Sequence, residues 1–369
     1  MRVALVHERI TEVGGSERVV GELATLWPDA PVHVPIADRA VQVQVPGLDD
    51  ASRIKTSWLQ RLYRGGPSYS YLLPLLPAAM ATTHIDADVV VISHHAFANR
   101  VRVNDGALTI SYTHTPGRWM WDAGMRRGEM GGRAGSLALG AFAATQRRAD
   151  RRAAARMHTV VVNSTAVAER VEAWWGRDAL VVHPPVDTTF HTLDTTIERE
   201  PFFLLAGRLV PYKRPELAAA AAARAGVSLV VAGDGRARPA VEAAGGTTTR
   251  MLGAVTDDAL RDLYRRCQAL IFPGIEDFGI VPVEAMACGC PVIALDAGGA
   301  RDTVISGVSG VRVRQGNDDE VVDALAEVMR AWDDRAFDAP RIRKHAESFS
   351  AEVFRTRMSD VVADALAHR

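Results

Sequence analysis

The stretch Ala269-Leu270-Ile271-Phe272-Pro273-Gly274-Ile275-Glu276-Asp277-Phe278-Gly279-Ile280-Val281-Pro282-Val283-Glu284 decides the fold. Four apolar residues read as a strand, Pro273-Gly274 ends it, and the run beyond Gly279 leads into a helix through Ala285-Met286-Ala287-Cys288-Gly289. Strand, glycine-bearing loop and helix in that order are the repeating unit of a parallel sheet covered by helices. Gly279 lets backbone N–H groups approach an anion at a helix N-terminus, where the helix dipole already favours negative charge. Glu276 precedes that terminus and Glu284 lies over a turn into the helix. The two carboxylates can therefore grip opposite ends of one ligand with phosphates between them, since each oxygen accepts two hydrogen bonds. The plainer reading makes them a solvated loop acid and a helix-face acid.

Outward from this unit the same alternation fills the chain. Strands are expected at Val3–Val6, Val89–Ile92, Leu108–Tyr112, Thr159–Val162 and Leu180–Val182 in the first half. In the second half they are expected at Phe202–Leu205, Ser228–Val231, Arg250–Leu252, Ala269–Phe272, Val292–Leu295 and Val311–Val313. A helix starts at Ser16 and runs to Leu26, another covers Asp258–Cys267 behind a Thr256 cap, and a third covers Glu320–Arg330. The Pro-rich joint His183-Pro184-Pro185-Val186-Asp187 separates the two series. This predicts an α/β chain of two doubly wound, Rossmann-like domains, residues 1–190 and 191–348. A last helical segment, 349–369, has Phe354, Met358, Val361 and Ala365 on one face and no strand after it. Such sheets bind ligands beyond the carboxyl ends of their strands, so a cleft is expected where two sets of loops face each other.

Four more loops carry candidate chemistry. Gly207-Arg208-Leu209-Val210-Pro211-Tyr212-Lys213 follows a strand, and there Arg208 can fork onto phosphate oxygens while Lys213 adds a mobile point charge. Ser93-His94-His95 places its adjacent histidines on opposite faces, which argues against a joint metal site. Ser111-Tyr112-Thr113-His114-Thr115-Pro116-Gly117-Arg118 offers His114 to a sugar hydroxyl or to developing charge. Val13-Gly14-Gly15-Ser16-Glu17 can present amides to a phosphate, but no third glycine completes a dinucleotide fingerprint. Asp86-Ala87-Asp88 has the look of a metal-binding pair, yet it precedes its strand and sits at the wrong edge of the sheet.

Composition narrows the class. The chain has 369 residues, 48% apolar and 24% charged, with a net charge of −1; it is a folded protein of two-domain length with no global field to recruit nucleic acid. Basic character is local: residues 118–156 hold nine arginines against Asp122, Glu129 and Asp150. The apolar start Met1–Val6 is too short for a signal peptide, and no run is long enough to span a bilayer. Cys267, Cys288 and Cys290 lack redox spacing, so a reduced, cytoplasmic chain is expected. The arginine-rich stretch Arg126–Arg156 and the apolar segment Tyr69–Pro77 are candidates for peripheral contact with the inner face of a membrane.

Taken together, Gly207-Arg208…Lys213, Gly233-Asp234-Gly235 and Glu276…Glu284 resemble the family 4 retaining glycosyltransferases of the GT-B fold over nearly the whole chain. His7-Glu8…Gly14-Gly15-Ser16-Glu17 and His114-Thr115-Pro116…Arg118…Trp121-Asp122 are similar to a bacterial branch of mannosyltransferases that build O-antigens and other polysaccharides. The resemblance implies that Arg208 and Lys213 hold the donor diphosphate and that Glu284 takes the ribose hydroxyls. It implies that Glu276 binds the transferred sugar, aided by the backbone of Asp277, Phe278, Gly279 and Ile280. It also implies that His114 touches the sugar near the reacting carbon, that Gly14 and Gly15 admit the donor, and that the last helix returns to the N-terminal domain. The expected activity is retaining hexosyl transfer, from GDP-mannose, to a glycan or lipid-linked acceptor, with no metal required because cations and a helix tip meet the leaving diphosphate. A nucleotide-sugar epimerase on the same fold and a non-catalytic nucleotide-sugar-binding homologue are the alternatives.

Overall fold

The computed structural model describes residues 1–122 and 132–368. Arg126, Arg127 and Glu129 of the arginine-rich stretch lie outside the described residues. The chain divides into two units: Met1–Pro185 together with Phe354–Arg369, and Val186–Val353. The division falls five residues before the expected 190, at the Pro184-Pro185 step.

The first unit is built on seven parallel strands: β1 (Val3–His7), β2 (Val32–Val34), β3 (Ile54–Thr56), β4 (Val89–His94), β5 (Leu108–Thr113), β6 (Thr159–Val162) and β7 (Leu180–Val181). They lie in the order β3-β2-β1-β4-β5-β6-β7. β4 and β5 are buried along their whole length, as strands covered on both faces must be. Alternation assigns the faces: Val90 and Ile92 join one core cluster, Val89 and Val91 another. The second cluster is closed by Val19, Val20 and Leu23 of the helix Gly15–Leu26 and by Phe354, Met358 and Val362 of the last helix, Ala351–Ala367. The final helix starts at Ala351, two residues inside the expected last segment 349–369 and where its apolar spacing begins, and the first helix starts one residue before Ser16.

The sequence reading missed β2 and β3. Each is three residues long, and His33 and Lys55 interrupt their apolar pattern. It also missed a two-residue parallel pair, His84–Ile85 with Arg102–Val103.

The second unit holds six parallel strands: β8 (Phe203–Ala206), β9 (Leu229–Ala232), β10 (Thr249–Gly253), β11 (Leu270–Phe272), β12 (Val292–Leu295) and β13 (Gly310–Val313). Their order is β10-β9-β8-β11-β12-β13. Chain direction across the sheet reverses between β1 and β4 in the first unit and between β8 and β11 in the second. At such switch points the loops leaving neighbouring strands diverge to opposite faces and open a crevice. The loops that begin at Gly207 and Pro273 leave β8 and β11, and so flank the switch point of the second sheet.

Candidate active site

The loop after β8 is held by backbone rather than by side chains. Gly207 N–H donates to Ala232 O at 2.9 Å and Leu209 N–H to Asp234 O at 2.9 Å. This explains Gly233-Asp234-Gly235: a Cβ on Gly233 would lie 1.9 Å from Gly207 O, and one on Gly235 would lie 2.3 Å from Leu209 O. Two glycines let the neighbouring loop pass at backbone contact. Arg208 is left exposed and forms no ion pair with a described residue. A 3-10 turn, Pro211–Lys213, follows, and Arg214 takes a left-handed conformation with φ 53° before the helix Pro215–Ala225. That turn brings Lys213 back toward the sheet.

Lys213 Nζ lies 2.8 Å from Glu276 Oε1, and both side chains are about one-fifth exposed, at 19% and 21%. Gly274 makes the approach feasible, because a Cβ there would sit 2.9 Å from Lys213 O. Gly207, Arg208, Lys213, Phe272, Gly274 and Glu276 line one crevice at the carboxyl ends of β8 and β11. Gly279, at φ 88°, precedes the helix Ile280–Ala287 and offers no side-chain cap, so the first amides of that helix keep their donors.

A pair the sequence reading did not single out supports this loop. Gly299 N–H donates to Glu276 O at 3.0 Å, and a Cβ on Gly299 would meet Phe278 O at 2.2 Å. Gly298 presses equally on Glu276 O, at 2.3 Å. The adjacent glycines after β12 were the available signal: a backbone that must touch another backbone excludes Cβ.

Glu284 is not among the residues that line the crevice. It is buried at 7% exposure, which removes the reading as a solvated helix-face acid. Its Oε1 lies 3.7 Å from His191 Nε2, a partner that no local pattern singles out.

In the first unit, Gly14 is the N-cap of the helix Gly15–Leu26, and a Cβ on Gly14 would stand 2.9 Å from Glu17 Oε2. Glu17 is buried and accepts a hydrogen bond from the Ser16 hydroxyl at 2.8 Å. Burial alone would raise its pKa. His7 and Ser16 more than offset this and hold it at about 2. His114 is half-buried just beyond β5, and burial, then the neighbouring His95 and His7, keep its pKa well below the usual imidazole value. It is therefore neutral at physiological pH.

His94 and His95 diverge as their alternation requires. His94 faces Asp150 and Trp175, whereas His95 faces the rings of His7 and His114. Burial lowers both to about 3. Asp86 and Asp88 pair with Arg2, and among the described residues no three His, Cys, Asp or Glu side chains gather as metal ligands.

Comparison with known proteins follows this division. Residues 13–190 match the family model described as Glycosyltransferase Family 4, and residues 190–344 match glycosyl transferases group 1. Among solved structures, the chain is similar to Anabaena HepE in complex with UDP-glucose, with a TM-score of 0.68, 18% identity, and 99% of this chain and 100% of that chain covered. Sucrose-phosphate synthase from Thermosynechococcus elongatus gives a TM-score of 0.70 at 16% identity, with 100% of both chains covered. Two Rossmann-like parallel-sheet units of this kind define the GT-B class. Among curated relatives, a D-inositol 3-phosphate glycosyltransferase of Streptosporangium roseum is 33% identical over 187 residues, 45% of this chain and 42% of that protein. One of Rhodococcus erythropolis is 30% identical over 223 residues, 52% of this chain and 50% of that protein. The chain thus spans about half the length of the curated relatives it matches. The two halves of the chain thus match, one after the other, the models of glycosyltransferase family 4 and of glycosyl transferases group 1, on a GT-B fold.

Proposed function

We propose that the protein transfers a hexose from a nucleotide-sugar donor, with retention of configuration and without a metal ion. The carrying observation is the crevice at the switch point of the second sheet. There Arg208 and Lys213 line one crevice with Glu276, which is already paired with Lys213 and sits on the loop that leads into an uncapped helix terminus. When a sugar–diphosphate bond breaks, negative charge grows on the leaving group. Arg208, Lys213 and the amides at Phe278, Gly279 and Ile280 are the groups proposed to meet it. Glu276 takes hydroxyls of the sugar and Glu284 those of the ribose, with Asp277 completing the loop. Gly14 and Gly15 admit the donor to the first loop, and His114 contacts the sugar. The leaving diphosphate accepts the proton of the attacking hydroxyl on the same face, which gives retention.

GDP-mannose is the donor we propose, on the strength of the motifs around His7, Gly14-Gly15 and His114-Thr115-Pro116. The solved HepE complex holds UDP-glucose, which makes the UDP-sugars the competing choice. The proposed acceptor is a glycan or lipid-linked sugar at the inner membrane face. A crevice of the first unit lined by Arg9, Tyr69, Leu73, Leu76, Phe97 and Trp119 supports an amphiphilic molecule.

The test is a screen of GDP-, UDP- and ADP-sugars for release of sugar in the presence of EDTA, with mass analysis of the product. Sugar released from one donor class supports transfer. An epimer that keeps its nucleotide supports the epimerase, and binding without release supports a non-catalytic homologue. In thermal-shift runs with GDP, UDP and ADP, a ligand at a hundred times its Kd adds about 2.7 kcal/mol. A shift with UDP alone overturns the GDP-mannose choice.

A further inference from the structure

We propose that Glu17, His7 and Ser93 form a positioning relay that fixes His114 as a hydrogen-bond acceptor at Nδ1 toward a hydroxyl of the bound sugar. The proposal rests on the transferase reading above and assigns roles to buried groups which that reading leaves unused.

Register sets the relay. His7, the last residue of β1, is paired with Ser93 of β4, and Ser93 with Tyr112 of β5. His114 lies two residues beyond Tyr112, so alternation returns it to the same face, and its N–H is anchored on His94 O at 2.8 Å. Three polar side chains from three neighbouring strands therefore fall in a row at the switch point of the first sheet. His7 Nδ1 is 3.0 Å from Ser93 Oγ, and Ser93 Oγ is 2.8 Å from His114 Nε2. His7 and Ser93 have no exposed surface, and Glu17 has 2%. At the far end His7 Nε2 lies 3.6 Å from Glu17 Oε1, beyond direct hydrogen-bond distance, and has no other hydrogen-bond partner, so the anion acts on it through space.

Proton counting then gives one arrangement. Glu17 is an anion, with its other oxygen taken by Ser16. A singly protonated His7 places its proton on Nε2, facing that anion, and leaves Nδ1 as an acceptor. The serine hydroxyl has one proton and gives it to Nδ1. Its oxygen can then only accept from His114, so Nε2 of His114 carries the ring proton and Nδ1 keeps its lone pair. No described residue bonds that Nδ1. The other charged or titratable groups facing the row are Arg9, His94, His95 and Tyr112, and none of their side chains bonds to the three; the Tyr112 hydroxyl donates to Val182 O instead. An acceptor at Nδ1 receives a sugar hydroxyl and cannot act there as a proton donor. The role resembles that of a carboxylate that holds a catalytic imidazole in one tautomer, reached here through a second imidazole and a hydroxyl.

The test uses the full chain with 15N-labelled histidine and long-range 1H–15N ring correlations near neutral pH. The expected spectrum shows His114 protonated at Nε2 and bare at Nδ1, and Ser93→Ala converts it to a mixture of tautomers. Glu17→Gln, which keeps the shape and removes the charge, is expected to move it the same way. Both variants are first checked by circular dichroism and melting temperature, so that a folding defect is separated from a tautomer change. In turnover, Ser93→Ala lowers kcat about ten-fold, the rate equivalent of one hydrogen bond, with donor KM little changed. His114 protonated at Nδ1 in the wild type overturns the relay. So does a Ser93→Ala variant whose ring spectrum and kcat match the wild type; in that case the transferase reading stands. If the wild type releases sugar from no donor, the transferase reading fails while the ring spectra still decide the relay.

Discussion

Lys213 Nζ and Glu276 Oε1 are 2.8 Å apart in a crevice that also holds the exposed guanidinium of Arg208. Cation and acid are thus pre-paired on loops that leave adjacent strands. The lysine is oriented before any ligand arrives, while Arg208 stays free to meet one.

The two cations should therefore separate in their effects. Arg208→Ala and Lys213→Ala each lower donor turnover on the order of 10²–10³-fold, the cost of a lost charge-stabilising donor. Arg208→Ala leaves the melting temperature unchanged, as surface substitutions do. Lys213→Ala lowers it, because Glu276 remains partly buried without its partner. Initial rates with EDTA present, together with calorimetric melting, check both; wild-type rates in both variants would remove the mechanism.

Gly299→Ala tests the backbone contact beneath the acidic loop. Its Cβ would stand 2.2 Å from Phe278 O, so the loop carrying Glu276 must shift. The expected loss is about 1–3 kcal/mol, as for other overpacked sites, with reduced donor affinity. Titration calorimetry and denaturant melts measure the two effects, and an unperturbed variant would show that the loop is not held from below.

Asp150 gives a pH signature of stability. Burial raises its pKa to about 6, against the opposing pull of the Trp121 and Trp175 indole N–H bonds. The native state then binds a proton more tightly than the unfolded chain. The stabilising contribution is fully present below the ordinary value of 3.8 and is lost as pH rises through about 6. Asp150→Asn should flatten this loss, which amounts to about 3 kcal/mol at most. Chemical denaturation from pH 4 to pH 7 reads it directly, and parallel wild-type and variant curves would refute the assignment.

Membrane contact has a concrete surface to test. Tyr71, Leu73 and Leu75 are 85%, 41% and 39% exposed, while Leu72 and Leu76 turn into the core. Arg148, Arg151, Arg152 and Arg156 are exposed, and Arg147 and Arg151 lie over the Trp121 ring. Anionic liposomes should sediment the protein at low salt and less so at high salt. Replacing the three exposed apolar residues with serine should abolish it. Absence of binding at either salt would end the proposal.

The sequence revealed most where chemistry and backbone geometry coincide. The Gly207–Lys213 and Pro273–Glu284 loops follow uninterrupted apolar runs, so their place at the carboxyl ends of the strands could be read from order alone. The Gly233 and Gly299 contacts were harder, because a glycine's neighbour is not written beside it. Strands β2 and β3 escaped because a polar residue interrupts each three-residue run and their stability comes from pairing, β2 with β1 and β3 with β2. His191 beside Glu284 and the row His7–Ser93–His114 depend on register between distant segments, which no local pattern encodes.

The return of the last helix has a consequence for synthesis. Phe354, Met358 and Val362 complete a core that begins at Leu5, so a ribosome must synthesise the chain past Val362 before that core can close. Val186–Val353 is continuous and can fold as it emerges. The amino-terminal half must wait with an apolar face uncovered, open to chaperones, and an expressed fragment ending at Pro185 would keep that face permanently.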